Sequence, residues 1–229
     1  MANIKLIEET HKYINTETGE EYSSVSSILS KFKKPFDKKY WSEKKAKDYG
    51  TSVEEVLDQW DGLRDFSCAR GKNYHKIMED YITLNKRDEE NITLYESFDH
   101  ILDRFGDIRR MYAEHIVYND FYKVAGMADI IIDHGDQFSI IDFKTNKKFR
   151  FYSPYNEYLL APVGHLQACE HNTYALQLSL YAYMYEIQSG KKLRAMAINY
   201  LNAEKEKWNY IPVQYLKYEV HLLLKSKDK

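Results

Sequence analysis

Cysteine is almost missing from this chain of 229 residues: Cys68 and Cys169 lie far apart, with neither CxxC nor Cys/His spacing. That pattern excludes a disulfide frame and a cysteine-held zinc or iron–sulfur centre, and it reads as two reduced thiols. Long apolar runs are missing too. No stretch approaches the roughly 20 residues of a membrane span, and no secretory n/h/c pattern opens the sequence. An intracellular, cytoplasmic protein without a membrane partner is therefore expected. Strong net charge is also lacking: the balance is −2, which argues against a generic nucleic-acid coat. What is present, 44% hydrophobic and 30% charged residues, is ordinary for a globular protein, and the length suits one domain of generous size.

The average charge hides segregation. Lys31, Lys33, Lys34, Lys38, Lys39, Lys44, Lys45 and Lys47 crowd one segment, interleaved with Phe32, Phe36, Tyr40 and Trp41. Acidic residues then dominate from Asp48 through Asp65. Two readings of the lysine run stand: a solvated helix face, or a phosphate track with aromatic platforms for bases. Tyrosine, at 21 residues, is compatible with stacking, although most tyrosines belong at core boundaries.

Short strands are expected at residues 4–7 and 11–14, with a turn at Thr18-Gly19 and a return through Glu21-Tyr22. Serines 23–27 offer N-caps for a helix reaching Phe32, Pro35 interrupts, and Asp37 caps a second helix to Tyr49. A further helix is expected across 51–60. A separate one follows Gly71, where Tyr74, Ile77, Met78, Tyr81 and Ile82 recur at helical spacing. Residues 84–93 read as loop, and 94–109 as helix with Leu94, Phe98, Ile101, Leu102 and Phe105 inward. A β-meander opens at Ala113–Tyr118 and Tyr122–Ala125, and His134-Gly135-Asp136 supplies a hairpin turn. The aromatic segment 147–166 is a long loop, 168–189 a deeply packed helix ended by Gly190, 193–201 and 208–213 a strand pair, and 214–225 a last helix.

The chemistry concentrates between Gly126 and Lys148. Strand alternation puts Asp142 and Lys144 on one face and Phe143 on the other, with Asp129 on the preceding strand. Charges placed after the apolar run Phe138, Ile140 and Ile141 are expensive unless a divalent cation sits between the carboxylates. Two acidic groups beside one lysine are what metal-assisted phosphodiester cleavage needs.

Three segments together resemble the RecB-like branch of the PD-(D/E)XK nuclease superfamily, nearest its phage exonucleases and the mitochondrial genome maintenance exonuclease. Arg-Gly-Lys-Asn-Tyr-His-Lys-Ile-Met-Glu, residues 70–79, matches the Gly-x-x-x-His-x-x-x-Glu helix. The hairpin matches Gly-x-x-Asp followed by Asp-x-Lys, and Gln177 with Tyr181 matches Gln-x-x-x-Tyr on the next helix. The resemblance implies an α/β (α+β) fold: a mixed central β-sheet flanked by helices, a restriction-endonuclease-like core. Residues 1–229 would then form one nuclease domain, with 1–69 as an N-terminal hairpin and helical arch and 70–229 as the catalytic core.

Within that resemblance Asp129, Asp142 and His75 would hold Mg²⁺ or Mn²⁺, with the Phe143 backbone carbonyl as a further ligand. Lys144 would activate the attacking water or neutralise charge on the phosphate, and both readings stay open. Gln177 and Tyr181 would steady Lys144 or the substrate phosphate. Glu79 and Glu114 are either auxiliary ligands or surface charges. The four cluster cysteines of some relatives are missing, so no iron–sulfur cluster is expected. Lys38, Lys39, Tyr40, Trp41, Lys147, Lys148, Arg150 and Tyr152 are the expected DNA contacts. The implied function is a phage-encoded, metal-dependent DNA exonuclease acting on single-stranded or frayed ends in replication, recombination or repair, with a partner protein of those pathways conceivable. Two alternatives are an accessory binding module with a nuclease fold and an endonuclease of the same superfamily.

Overall fold

A computed structural model describes residues 3–10, 12–202 and 205–227. The chain opens with an antiparallel meander, β1 (Ile4–Ile7), β2 (Lys12–Asn15) and β3 (Glu21–Ser24). The Asn15 side chain accepts the Glu17 and Thr18 N–H groups, and Gly19 takes a φ of +72° to close the turn. Residue 11, expected at the start of the second strand, lies outside the described residues. Ser24 caps α1 (Val25–Lys31) by accepting from the Ser27 N–H, and Asp37 caps α2 (Lys38–Tyr49) by accepting from the Tyr40 N–H.

The two helices expected at 51–60 and after Gly71 are one, α3 (Val53–Leu84), 32 residues long. A capping box of Ser52 and Glu55 starts it, and Asn85 in the left-handed region ends it. Gly62 and Gly71 each weaken such a helix by about 1 kcal/mol without stopping it, because neither brings a proline's steric block. The helix runs unbroken through residue 70.

The next helix is shorter than the expected 94–109. It is α4 (Ile92–Leu102), which tightens into a 3₁₀ turn over Asp103–Phe105 and stops at Gly106 with φ +63°. Strand β4 (Arg110–Asn119) accordingly begins earlier than residue 113. After it come β5 (Val124–Asp133), β6 (Gln137–Lys144), α5 (Glu170–Ser189), β7 (Lys192–Asn202), β8 (Lys207–Pro212) and α6 (Lys217–Ser226). Gly190 ends α5 in the left-handed conformation, as the sequence predicts.

Among the described residues, six α-helices flank one eight-stranded sheet in the order β1-β2-β3-β5-β6-β7-β8, with β4 on the other flank of β5. The β3–β5 and β6–β7 pairs are parallel and the rest antiparallel, so the sheet is mixed, as expected. One face carries α1, α5 and α6 over Ile28, Phe138, Ile140, Leu180 and Leu223. The other carries α3 and α4 over Met78, Phe98, Ile141, Phe143 and Trp208. Each such side chain contributes about 1.5–3 kcal/mol on full burial, which ties both layers to the strands that carry the acidic residues.

Candidate active site

The site lies where the sheet parts. The β5–β6 ladder ends at Ile130↔Ile141, while β3 joins β5 lower down at Ser23↔Val124 and Ser24↔Ala125. Between these two pairings the Asp129 side chain takes the place of a ladder partner: its Oδ2 accepts the Phe143 N–H at 2.6 Å. Ala128 and Ile131, three residues apart, both pack into the α1–α5 core. Strict alternation would set them on opposite faces, so the strand inverts at Asp129.

Gly126 stands in the same gap. A Cβ there would lie 2.4 Å from Tyr181 Cε1 and 3.2 Å from Val25 Cγ2. Only a bare Cα lets the buried Tyr181 ring lie across β5. Gly126→Ala is therefore expected to destabilise the protein by about 1–3 kcal/mol through overpacking, read as a fall in melting temperature.

Helix α3 delivers His75 from the opposite layer. Arg70 donates to the Thr145 carbonyl, and a Cβ on Gly71 would sit 3.3 Å from Thr145 Oγ1, so the helix lies close against the end of β6. His75 Nε2 is 3.1 Å from the Phe143 carbonyl. Its Nδ1 is 3.6 Å from Asp129 Oδ1 and 3.8 Å from Glu114 Oε1. One ligand atom from each of His75, Glu114 and Asp129 lies within 4.8 Å of the others. Atoms about 2.0–2.6 Å from a shared hard cation can be no more than about 5 Å apart, so this group can hold a metal ion.

Glu114 is held there at a cost. It sits at φ +47° inside β4, a conformation uncommon for a side chain other than glycine. Its neighbours pair as Ala113↔Ile130 and His115↔Ala128, which puts it abreast of Asp129, carboxylate against carboxylate. Glu114→Gly is expected to raise the metal-free melting temperature by about 2–4 °C, since relief of the strain is worth about 1 kcal/mol. The same substitution should shrink the rise that Mn²⁺ produces. A lower metal-free melting temperature would show that Glu114 serves the fold rather than the site.

Asp142 is 1% exposed; its Oδ2 forms an ion pair with Lys144 Nζ, and among the described residues neither of its oxygens has a further hydrogen-bond partner. Burial lifts this carboxyl to about 6; the Lys144 ammonium opposes the rise and the Asp129 charge adds to it. Burial likewise raises Asp129, against the pull of His75 and Lys144. For His75 burial works the other way, but the charges of Asp129 and Asp142 and the Glu114 side chain outweigh it and bring the imidazole to about 9. Burial would also lower Lys144, yet Asp142 and Asp129 overcome it and hold the ammonium protonated.

The other expected site residues fall out as follows. Gln177 Nε2 donates to Tyr181 Oη at 2.9 Å, and Tyr181 packs on Gly126 in the α1–α5 core. The side chain over Lys144 is instead Tyr174, one turn earlier on α5, whose ring centre is 4.8 Å from Nζ. No sequence motif marks Tyr174; its three-residue spacing from Gln177, which sets both on one side of α5, is the signal that could have found it. Glu79 pairs with Lys76 at 3.1 Å on the wall of the cleft of about 440 Å³ that also holds His75 and Glu114.

Lys38 pairs with Asp61 at 3.5 Å, and the Phe36 and Trp60 rings meet at 5.8 Å, which seats α2 on the first half of α3. The Tyr40 and Trp41 rings meet edge to face on the exposed side of α2, where Lys39 also lies. Lys147, Lys148 and Tyr152 are exposed past the end of β6, and Arg150 is 3.9 Å from Glu170. The segment 147–166 is irregular but tied down, with the Leu160 N–H donating to the Phe32 carbonyl at 2.8 Å.

No protein-family model matches the chain, and no curated protein matches it. Among solved structures, a "putative exonuclease" from Eubacterium rectale superposes with a TM-score of 0.42 at 14% identity, over 99% of this chain and 85% of that one. A second, SSO0001, gives a TM-score of 0.33 at 13% identity over 70% of each chain. Both superpositions are loose, and the reading of the site rests on its own geometry. Among the described residues, no helix is long and apolar enough to cross a membrane.

Proposed function

We propose that this chain is a metal-dependent DNA nuclease that hydrolyses phosphodiester bonds from free single-stranded or frayed ends. The observation that carries the reading is the cluster of His75, Glu114 and Asp129, close enough to share one ion, with the buried Asp142–Lys144 ion pair beside it. Three carboxylates face two cationic side chains there, so the donor set suits one hard divalent ion, Mg²⁺ or Mn²⁺. When bound, that ion would polarise the phosphate and lower the pKa of the attacking water.

His75, Asp129 and Asp142 would hold it, with the Phe143 carbonyl and Glu114 completing the set. Lys144, kept as an ammonium, donates to a phosphate oxygen and offsets charge as the bond breaks, which favours the clamp over the base. Gln177 acts through Tyr181, fixing the ring that lies across Gly126. The whole chain would work as one domain, with α2 and the segment 147–166 walling the path of the strand. Exposed Tyr40, Tyr152 and Tyr155 beside lysines suit unpaired bases, which supports DNA ends as substrate. The family resemblance supports phage origin and a role in replication, recombination or repair, and the sequence without long apolar runs supports a cytoplasmic place.

End dependence has a direct test. A closed single-stranded circle should persist with Mg²⁺ or Mn²⁺ while its linearised form is degraded to nucleotides. Rapid cutting of the circle would make the enzyme an endonuclease.

A further inference from the structure

A second cavity, of about 270 Å³, opens between the end of α1 and the start of α5, lined by Lys33, Lys34, Arg150, Glu157, Tyr158 and Tyr174 among others. We infer that it is a subsite for a single unpaired nucleotide of the strand, adjoining the phosphate that is cut. The inference rests on the nuclease reading and names a part of its substrate path.

Size sets the first limit. At about 270 Å³, just below the roughly 300–1,000 Å³ of small-molecule sites, the cavity takes one nucleotide rather than a base pair. Its chemistry is mixed in the way a nucleotide is mixed. Lys33, Lys34 and Arg150 offer cationic donors for phosphate, while Glu157, Glu170 and the Thr173 hydroxyl offer acceptors for the donor edge of a base. Tyr158 and Tyr174 present rings on which a base stacks, over a floor of Leu159, Ala168 and Cys169.

These charges pair only loosely with one another. Lys34 stands 3.7 Å from Glu157 and Arg150 stands 3.9 Å from Glu170, both beyond hydrogen-bond reach. Among the described residues, Lys33 has no such pair, and Glu170 Oε2 is buried without a hydrogen-bond partner.

The walls are joined by backbone before any ligand arrives. The Leu160 N–H donates to the Phe32 carbonyl at 2.8 Å, the Ala168 N–H to the Glu157 carbonyl at 2.8 Å, and the His171 N–H to the Arg150 carbonyl at 3.1 Å. The cavity also touches the reaction centre. Tyr174 forms one of its walls and at the same time lies 4.8 Å from Lys144 Nζ. A nucleotide seated there is one aromatic ring away from the lysine that meets the scissile phosphate.

The test is the exposed double variant Lys33→Gln/Lys34→Gln. With a single-stranded oligonucleotide, KM should rise about tenfold while kcat stays within about twofold, the signature of lost binding shared by ground and transition states. Deoxyadenosine 5′-monophosphate should bind the wild type in equilibrium titration, and at least about tenfold more weakly to the variant. Unchanged KM and unchanged monophosphate affinity in a folded variant would overturn the subsite and leave the nuclease reading standing. Equal competition by inorganic phosphate would overturn it too, by reducing the cavity to an anion site. A wild type that binds the monophosphate through these lysines but never cleaves DNA would support the subsite and defeat the nuclease reading.

Discussion

Asp142→Asn is expected to cut metal-dependent nucleotide release by at least about 10³-fold while the protein stays folded. Asparagine keeps the size of the side chain and removes only its charge. The folded protein already tolerates a neutral group there, since burial holds the carboxyl up to about 6. Lys144 keeps Asp129 as a nearby counter-charge, so its ammonium is not stranded. Asp142→Ala is the harsher choice: it also leaves a cavity and removes the side-chain oxygen against which the Lys144 ammonium lies. Lys144→Gln should fall as far in rate as Asp142→Asn. Melting curves taken with the kinetics separate lost chemistry from lost fold. Near-normal cleavage by both variants would remove these residues from the reaction.

The second large effect is on stability, and it turns on pH. His75 titrates near 9 in the folded protein and near 6.5 unfolded. The stabilisation from its imidazolium is complete below about 6.5 and disappears as the pH climbs through 9, a change of order 3 kcal/mol. Asp142 has the same sign: its protonated form favours folding below about 3.8, and that contribution fades as the pH rises through about 6. Metal-free protein should therefore melt progressively lower from pH 6 to pH 9, by several degrees.

Mn²⁺ or Mg²⁺ should reverse the trend. The ion would compete with the imidazole proton of His75, so binding tightens as that proton leaves. At a hundredfold excess over Kd the ion adds about 2.7 kcal/mol, and the rise in melting temperature should be larger at pH 8.5 than at pH 6.5. Asp129→Ala should abolish it. Melting that ignores both ions at both pH values would rule out a preformed metal site.

How far such a site is legible in the residues depends on the range of the forces that build it. The Asp142–Lys144 relation follows from strand period two, and Gly135 and Gly190 mark element ends by their backbone freedom, so the hairpin and α5 are readable. Helix α3 is not. From Gly62 to Ala69 every residue is exposed, and an element with no buried face writes no apolar stripe into its sequence. Glu114 is harder still, because its left-handed backbone and its place abreast of Asp129 come from pairing between distant segments. The family resemblance gives Gln177 and Tyr181 the task of steadying Lys144 or the phosphate; the ring that lies over Lys144 belongs to Tyr174, which no motif marks.

Helix α3 has a mechanical consequence. Near one end Trp60 and Asp61 bear the weight of α2; about 22 Å along the axis His75 meets the acidic cluster. The helix is held twice, by α2 at Trp60 and by the sheet at Arg70 and Met78 on either side of His75. The second grip sets the aim of the imidazole, where a displacement of about 1 Å is enough to change a rate about a hundredfold.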